Sequence, residues 1–326
     1  MLTYIFRRLL IAAPTLLGIT VVTFFVINLA PGNPAQFQAQ SALDPRVSVR
    51  IYQELEKYYG LDQPIGVRYA RWLGRLARLD FGESMSTDRR PVRDKIKERL
   101  WPTMSLAALS LVLSLGLSLP MGVWAAVRQN RLFDTVSSTI LYGLYSVPEY
   151  VMAAPLILLV GVKWDLLPFQ GMTSDNYAAL GAGGKALDLA KHYALITFCF
   201  SYGSWAYYSR FVRQTMLETL RQDYVRTARA KGLREGRVIW GHAFRNSLIP
   251  VVTLLGLLLP SVLGGSVILE VMFNWPGLGR LFYESMLARD YPTIMALEFV
   301  SACLVLLGML LADIAYAAVD PRVAYD

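Results

Sequence analysis

The chain has 326 residues, of which 55% are hydrophobic and 17% charged, with a formal net charge of +8. Few charges among so many apolar residues argue against an ordinary soluble protein. The positive charge alone could indicate nucleic-acid binding, but the basic residues flank apolar segments, so we expect no nucleic-acid partner.

Six apolar windows are long enough to cross a bilayer as helices, which takes roughly 20 residues each. They cover residues 9–30, 102–127, 136–162, 194–212, 247–271 and 293–319. Prolines inside several windows are tolerated in bundled membrane helices, because neighbouring groups satisfy the freed backbone. The first window is too long for a signal-peptide core, and Pro31 follows Ala30, the only small cleavage residue, so we expect an anchored helix. The sequence thus predicts an all-α polytopic membrane protein with six transmembrane helices.

Basic residues beside the windows predict the orientation. Arg7 and Arg8 precede the first window and many arginines lie between the fourth and fifth, which places both termini in the cytoplasm. The segment 31–101, which this topology places outside the cell, is also basic, contrary to the rule. Loops of its length, however, translocate largely regardless of charge. The predicted organisation is a cytoplasmic N-terminus with the first helix (1–30), an extracytoplasmic segment (31–101), a five-helix core (102–319) containing a cytoplasmic loop (213–246), and a cytoplasmic tail (320–326).

Within the outer segment, residues 65–79 predict an amphipathic helix. Apolar residues including Tyr69 and Trp72 recur at helical spacing, and arginines form a stripe on the other side. The arginines are Arg68, Arg71, Arg75 and Arg78. Two interpretations stay open, a helix lying in the membrane interface and a helix packed on neighbouring outer loops.

Residues that carry chemistry are scarce. Cys199 and Cys303 fall inside predicted spans and indicate buried apolar side chains, while His192 and His242 lie on opposite sides of the membrane and cannot share a metal. The glycine-rich stretch 181–186 lacks the spacing and the Ser or Thr of a phosphate-binding loop. We expect no catalytic residue, metal or cofactor here, so any ATP and Mg would be bound by a partner chain.

The loop between the fourth and fifth windows is the most informative segment. Asp223 can cap a short helix and Gly232 can supply a left-handed stop. Such a helix, of about two turns and with the small residues Ala228 and Ala230, is too short to be stable alone and needs a surface to pack against. A plain basic surface loop is the alternative from the residues themselves.

Several motifs together resemble the permease subunits of the dipeptide/oligopeptide (peptide/nickel) ABC importers. They are 223–232 (Asp-Tyr-Val-Arg-Thr-Ala-Arg-Ala-Lys-Gly) with His242, Arg245-Asn246 and Pro250, the opening stretch through 31–34 (Pro-Gly-Asn-Pro), 60–64 (Gly-Leu-Asp-Gln-Pro), 80–84 (Asp-Phe-Gly-Glu-Ser), 273–279 (Phe-Asn-Trp-Pro-Gly-Leu-Gly) and 320–322 (Asp-Pro-Arg). The general importer coupling motif begins Glu-Ala-Ala, whereas Arg226, Thr227 and Ala228 stand at those positions, and the gap from Gly232 to Pro250 is longer. Both departures are typical of the peptide branch.

The resemblance implies a type I importer permease architecture in a bacterial or archaeal plasma (inner) membrane. A binding protein outside would deliver peptide to two homologous permease subunits, expected to be a heterodimer, and two ATPase subunits inside would push on the coupling helices. It places the coupling role on Ala228, Ala230, Lys231, Gly232 and Leu233. Dipeptides, oligopeptides, glutathione and nickel chelates all remain open as cargo.

Candidate residues for the translocation pathway follow from polar groups at membrane depth, which usually face a cavity or a partner. Glu149 is the first candidate, with Tyr145 close in sequence, and Glu298 is the second; a satisfied structural pair is the alternative for Glu149. In the loop after the fifth window, Trp275 and Gly277 suggest an outer gate or a binding-protein contact, with a structural turn as the alternative.

Two other classes compete with the importer. A secondary transporter working without ATPases is disfavoured, because the sequence shows neither an inverted repeat nor a series of intramembrane carboxylates. A membrane enzyme is disfavoured because no catalytic constellation is found.

Overall fold

A computed structural model describes residues 2–29, 45–58, 60, 62–248, 251 and 266–319 of the chain. Two compact units are present. The first comprises Met1–Trp101 and Gly277–Leu306, and the second comprises Pro102–Pro276 and Leu307–Asp326. The all-α class predicted from the sequence is confirmed in the described residues, where the regular elements are helices.

The helices have the following bounds in chain order. They are α1 (Leu2–Leu29), α2 (Pro45–Tyr58), α3 (Ile65–Leu76), α4 (Val92–Val127), α5 (Leu132–Tyr145), α6 (Glu149–Leu156) with a π-helical extension (Ile157–Lys163), a 3₁₀ turn (Tyr177–Ala179), α7 (Ala182–Leu220), α8 (Asp223–Ala230), α9 (Glu235–Arg237) with a π-helical extension (Val238–Phe244), α10 (Val267–Met272), α11 (Leu278–Leu287) and α12 (Tyr291–Val319).

Three helices of the described part are long and apolar enough to cross a membrane, and the bent pair α5–α6 makes four if it counts as one span. The three stretches are Leu10–Leu29, Val92–Val127 and Tyr291–Leu311. The fourth predicted window lies within α7, whose middle is rich in tyrosine and serine and is therefore less hydropathic. Most of the fifth window, residues 252–265, lies outside the described residues. The count of six spans stays a prediction.

The third window, expected as one continuous helix, is broken instead. Helices α5 and α6 meet at 96°, with Ser146, Val147 and Pro148 between them. Proline lacks an N–H and disfavours helical backbone at the residue before it, so the helix ends at Tyr145 and restarts after Pro148. The hydroxyl of Tyr202 donates to the carbonyl of Val147, which satisfies one backbone group freed by the break.

In the first unit, a buried carboxylate joins the segment around Ser84 to the start of α12. Asp290 is fully buried and accepts hydrogen bonds from Ser84 Oγ at 2.5 Å, the Met85 N–H at 2.8 Å and Thr293 Oγ1 at 2.6 Å. Lys95 Nζ donates to Ser84 Oγ at 2.9 Å and lies 3.9 Å from the carboxylate. A buried charge held by this many donors fixes the surrounding loops tightly.

The amphipathic helix predicted at residues 65–79 is confirmed as α3, and it packs on α1. Tyr69 and Trp72 place their rings 5.3 and 5.5 Å from that of Phe24, and Thr20 Oγ1 and the Tyr69 hydroxyl are 3.0 Å apart. Aromatic pairs at such distances contribute roughly 0.5–1.5 kcal/mol each beyond their buried area.

In the second unit, α4 and α7 touch at a glycine. A Cβ added to Gly122 would lie 2.7 Å from both the carbonyl oxygen of Ser209 and Cβ of Val212. The same addition at Gly116 on α4 meets nothing within 4 Å. Glycine at position 122 therefore allows the two helix backbones to approach closely.

Candidate functional site

Helix α8 is a two-turn helix closed at its C-terminal end by a glycine. Gly232 has φ +74°, in the left-handed region that favours glycine. Its N–H donates to the carbonyl of Arg229 at 2.9 Å, and the N–H of Leu233 donates to the carbonyl of Ala228 at 3.4 Å. This pair of bonds is a Schellman motif, which satisfies carbonyls at a helix end. The predicted helix with its stop at Gly232 is confirmed.

The cap predicted at Asp223 is wrong by one residue. Gln222 holds the N-cap position without a side-chain cap bond, and Asp223 is the first helical residue. Its carboxylate lies in the first turn, where negative charge suits the helix dipole, and 3.6 Å from the guanidinium of Arg226.

The five predicted coupling residues divide between the two faces of this segment. Ala228 is buried, and Leu233 packs beside it against a cluster formed by α4, α7 and the extension of α9. Ala230, Lys231 and Gly232 are exposed. The cluster's buried members are Val123, Ala126, Val212, Met216, Val225, Ala228, Val238, Ala243 and Val251. One face of α8 thus packs on its own unit, whereas the opposite face is exposed; we call the latter the exposed face of α8.

Two exposed aromatic residues of this segment were not predicted from the sequence. Tyr224 on α8 and Trp240 in the extension of α9 expose 41% and 42% of their surface. The ring of Trp240 packs edge-to-face against that of Phe244, with ring centroids 5.1 Å apart. Rigid aromatic side chains held at a surface are enriched at protein interfaces. Two aromatics within a basic loop were the available signal.

An ion pair ties the end of α8 to the next segment. Arg229 Nη2 lies 2.7 Å from a Glu235 carboxylate oxygen, and its Nε is 3.2 Å from both oxygens. The hydrogen bond from Arg229 lowers the pKa of Glu235 below its ordinary value. Both side chains are about half exposed, so the pair contributes less than about 1 kcal/mol.

A cavity of about 720 Å³ lies between α5 and the C-terminal half of α7. Its walls are tyrosines, arginines and polar residues; they include Tyr142, Tyr145, Tyr207, Arg210, Gln214 and Arg221. The guanidinium of Arg210 lies 4.1 Å from the centre of the Tyr142 ring, a cation–π contact that orients the arginine. The predicted pathway residue Tyr145 is therefore part of a polar, aromatic-lined cavity.

A buried ion pair joins the two walls of this cavity. Asp134 is buried, and its two oxygens accept from Arg213 Nε at 2.6 Å and Nη2 at 2.7 Å. The carboxylate also accepts from the Asn130 N–H at 2.9 Å. Bidentate pairing fixes the orientation of both side chains. Arg210 and Arg221 line the cavity together with the acidic Glu218.

Comparison with known proteins identifies the chain. Residues 118–325 match the family described as the binding-protein-dependent transport system inner membrane component, and residues 1–107 match the N-terminal family of such membrane components. The chain belongs to this family. It is a membrane-spanning permease subunit of the ABC importers, in their dipeptide/oligopeptide branch.

Relatives match the permease along its whole length. The oligopeptide transport system permease protein AppB of Bacillus subtilis is 40% identical over 326 residues, covering 100% of both chains. The dipeptide transport system permease protein DppB of Escherichia coli K12 is 34% identical, covering 100% of this chain and 99% of its own. The glutathione transport system permease protein GsiC of Salmonella paratyphi A is 36% identical, covering 100% of both.

A solved structure shares the fold of the permease. The methionine ABC transporter MetNI in an inward-facing conformation matches with a TM-score of 0.56 at 18% identity, covering 71% of this chain and 98% of that one. As an inner membrane component of such a system, the permease works with ATPase and binding-protein partners.

The predicted acidic pathway residues lie in different units of the permease. Glu149 is the first residue of α6, in the second unit, and is exposed just beyond the break that follows Tyr145. Glu298 is half-buried in α12, within the first unit. Their roles stay predictions.

The loop before α11 is anchored by its tryptophan. Trp275 is fully buried; its Nε1 donates to the carbonyl of Pro102 at 3.2 Å, and its ring meets that of Tyr193 edge-on at 4.6 Å. Tyr193 in turn shares a 2.6 Å hydrogen bond with Ser105. Gly277 is buried in extended backbone and precedes the first residue of α11. These contacts are those of a core side chain and favour the structural-turn interpretation.

Proposed function

We propose that this permease moves peptides across the inner membrane and that the exposed face of α8 receives the force from partner ATPases. The observation that carries the coupling role is the division of α8 into two faces. Val225 and Ala228 are buried in the permease, whereas Ala230, Lys231 and Gly232 are exposed. A helix anchored along one side transmits a push on its other side to the helices beneath it.

Peptide cargo is supported by the names of the relatives. An oligopeptide, a dipeptide and a glutathione permease share more than a third of their residues with this chain. Their cargoes all contain amide bonds and a free carboxylate. Arginines such as Arg210 and Arg221 suit a carboxylate, and Tyr145 offers an apolar wall with a polar tip. Glutathione and nickel chelates remain alternative cargoes.

The pathway would be built from the cavity between α5 and α7 together with acidic residues of the spans. We assign Tyr145 and Glu149 to its lining and keep Glu298 as a further lining residue. Trp275 and Gly277 would then act at the outer loop, where the packing of Trp275 must be released if the loop opens as a gate.

The assembly would contain this chain, a second homologous permease, two ATPase subunits and an extracytoplasmic binding protein. We place six spans in the permease, with both termini in the cytoplasm. Nucleotide and Mg would be bound by the ATPases, and this chain would perform no catalysis and carry no cofactor of its own.

Reconstitution tests this proposal directly. The permease is purified with its co-expressed partner subunits, placed in liposomes, and supplied with binding protein and labelled di-, tri- and oligopeptides. Uptake that requires ATP is the expected result. Uptake by the chain alone, driven by an ion gradient without ATP, would show that it is a secondary transporter.

A pair of tyrosine variants tests the pathway within the same assay. Tyr145→Ala should lower peptide uptake, because Tyr145 lines the cavity. Tyr150→Ala is the matched control: Tyr150 is 49% exposed, close to the 52% of Tyr145, but is not part of that lining. Equal uptake by the two variants would remove Tyr145 from the pathway, as unchanged uptake by Glu149→Gln would remove Glu149.

A further inference from the structure

The first unit contains a second charged cavity, unrelated to α8. It measures about 330 Å³ and lies among α3, the end of α1 and the start of α12. Its lining includes Arg68, Arg71 and Arg75 with the aromatic residues Trp72 and Tyr291. Glu83 also lines it, so three guanidinium groups stand against one carboxylate there.

Two of these arginines have neutral hydrogen-bond partners. Arg68 donates to the carboxamide oxygen of Asn28, and Arg71 donates to that of Gln63 at 2.8 Å. Arg75 instead pairs with the Asp80 carboxylate at 2.9 Å. A carboxamide uses guanidinium donors without cancelling the charge, and each guanidinium has five N–H groups. Among the described residues these two arginines thus pair with carboxamides, which leave the guanidinium charge uncompensated, and each has further N–H donors for an anion.

Partial burial makes the charged form of Arg68 less favourable than it would be in water. Desolvation lowers the pKa of its guanidinium below the ordinary value, yet arginine stays protonated at neutral pH. A half-buried cation is stabilised by a nearby negative charge more than an exposed cation would be, because screening by water is weaker.

Two apolar helices indicate the level of the cavity relative to the bilayer. Asn28 is one residue from the end of the membrane-span candidate Leu10–Leu29, and Tyr291 is the first residue of the candidate Tyr291–Leu311. Both lining residues thus stand where a span ends. Tyr69 and Trp72, packed on Phe24 of α1, are the residue types enriched at the membrane–water interface. The arginines accordingly lie at headgroup level.

The neighbouring surface of α1 suits acyl chains. By helical spacing Leu17 and Val21 lie on the same face of α1 as Phe24 and Asn28, and they are exposed by 49% and 38%. They continue from the level of the arginines toward the middle of the apolar helix, which is the path that a lipid tail follows from its headgroup.

We propose that this cavity binds the phosphate of an anionic phospholipid, with Arg68 and Arg71 as its ligands and the acyl chains lying along α1. Arginine recognises phosphate through paired N–H donors. The site would hold α3 at the membrane interface, which gives the basic stripe of that helix a partner. It does not depend on the peptide cargo or on the coupling role of α8.

Native mass spectrometry of the intact complex tests the site. The complex, purified in mild detergent, is titrated with phosphatidylglycerol and, in parallel, with zwitterionic phosphatidylcholine. The wild type should retain one phosphatidylglycerol that Arg68→Gln/Arg71→Gln binds about tenfold or more weakly, since each basic residue near a membrane surface contributes appreciably to anionic-lipid affinity. Phosphatidylcholine should show a much smaller difference.

Controls separate the site from general lipid contact. Arg78→Gln removes an exposed arginine just beyond α3 that is not part of the cavity lining, and should retain the lipid. Arg71→Gln alone, whose partner is the neutral Gln63, covers the case in which the double variant fails to fold. Equal loss in Arg78→Gln, or no loss in either cavity variant, would overturn the proposal. So would displacement of the lipid by millimolar inorganic phosphate, which would identify a free anion as the ligand.

Discussion

Replacing Gly232 with valine should uncouple the permease from its ATPases while leaving the chain folded. The φ of +74° at this position costs an L-residue about 1–2 kcal/mol, and a β-branched side chain lies at the upper end. A Cβ at Gly232 meets no atom within 4 Å, so the cost arises from the backbone and not from a clash.

Relief of this strain would break the two Schellman bonds, made by the N–H groups of Gly232 and Leu233. Each such bond contributes about 1 kcal/mol. The local penalty is therefore about 2–3 kcal/mol, which lowers the population of the native helix end by roughly 30-fold to 160-fold. A two-turn helix has little stability of its own with which to offset that change.

The assay is ATP turnover by the reconstituted complex, with and without binding protein and peptide. Gly232→Val should lose most of the substrate-stimulated turnover and keep the basal rate. Gly236→Val is the matched control, because Gly236 is also exposed with nothing within 4 Å but lacks a positive φ. Gly232→Asn should retain coupling, since asparagine tolerates the left-handed region. Stimulated turnover in Gly232→Val equal to that of Gly236→Val would refute the role of the cap.

Three further changes have defined outcomes. Gly122→Ala should destabilise the permease by about 1–3 kcal/mol through overpacking against α7, whereas Gly116→Ala should be neutral or slightly stabilising; thermal unfolding in detergent measures both. Asp290→Asn should cost about 3 kcal/mol, because a buried oxygen that accepts hydrogen bonds is replaced by a donor, and proteolysis of the segment around Ser84 should accelerate. The lowered pKa of Glu235 gives a stabilisation that is present above its unfolded pKa and lost as pH falls through its folded one. Below neutral pH, the free energy of unfolding should therefore depend slightly less on pH in Glu235→Gln than in the wild type. An unchanged dependence would contradict the pairing with Arg229.

Local features of the permease were predictable from the sequence because their causes are local. The stop at Gly232 follows from one residue type and its spacing, and α3 follows from the helical periodicity of its apolar residues. The break at Pro148 also had a local signal. It was missed because tolerance of proline in membrane helices was given precedence over the restriction that proline places on the preceding residue.

Features that depend on distant partners were not predictable. Trp275 donates to a carbonyl 173 positions away, and Arg213 pairs with a carboxylate 79 positions away. Nothing in the residues around Trp275 distinguishes a gate from an anchor, since its burial is set by Pro102 and Tyr193. The same limit applies to Ala228 and Ala230, whose opposite exposures depend on which face of α8 meets the rest of the unit.

The length of α7 gives it the properties of a lever. It has 39 residues and is therefore about 58 Å long, and only Arg221 and Gln222 separate its end from α8. A tilt of about 5° about the contact with α4 at Val212 would move the N-terminal end of α7, about 45 Å away, by about 4 Å. This contact lies closer to the C-terminal end of α7, so a displacement received there through the proposed coupling at α8 would be larger at the N-terminal end. The bending stiffness of α7 then determines how much of this displacement reaches its N-terminal end.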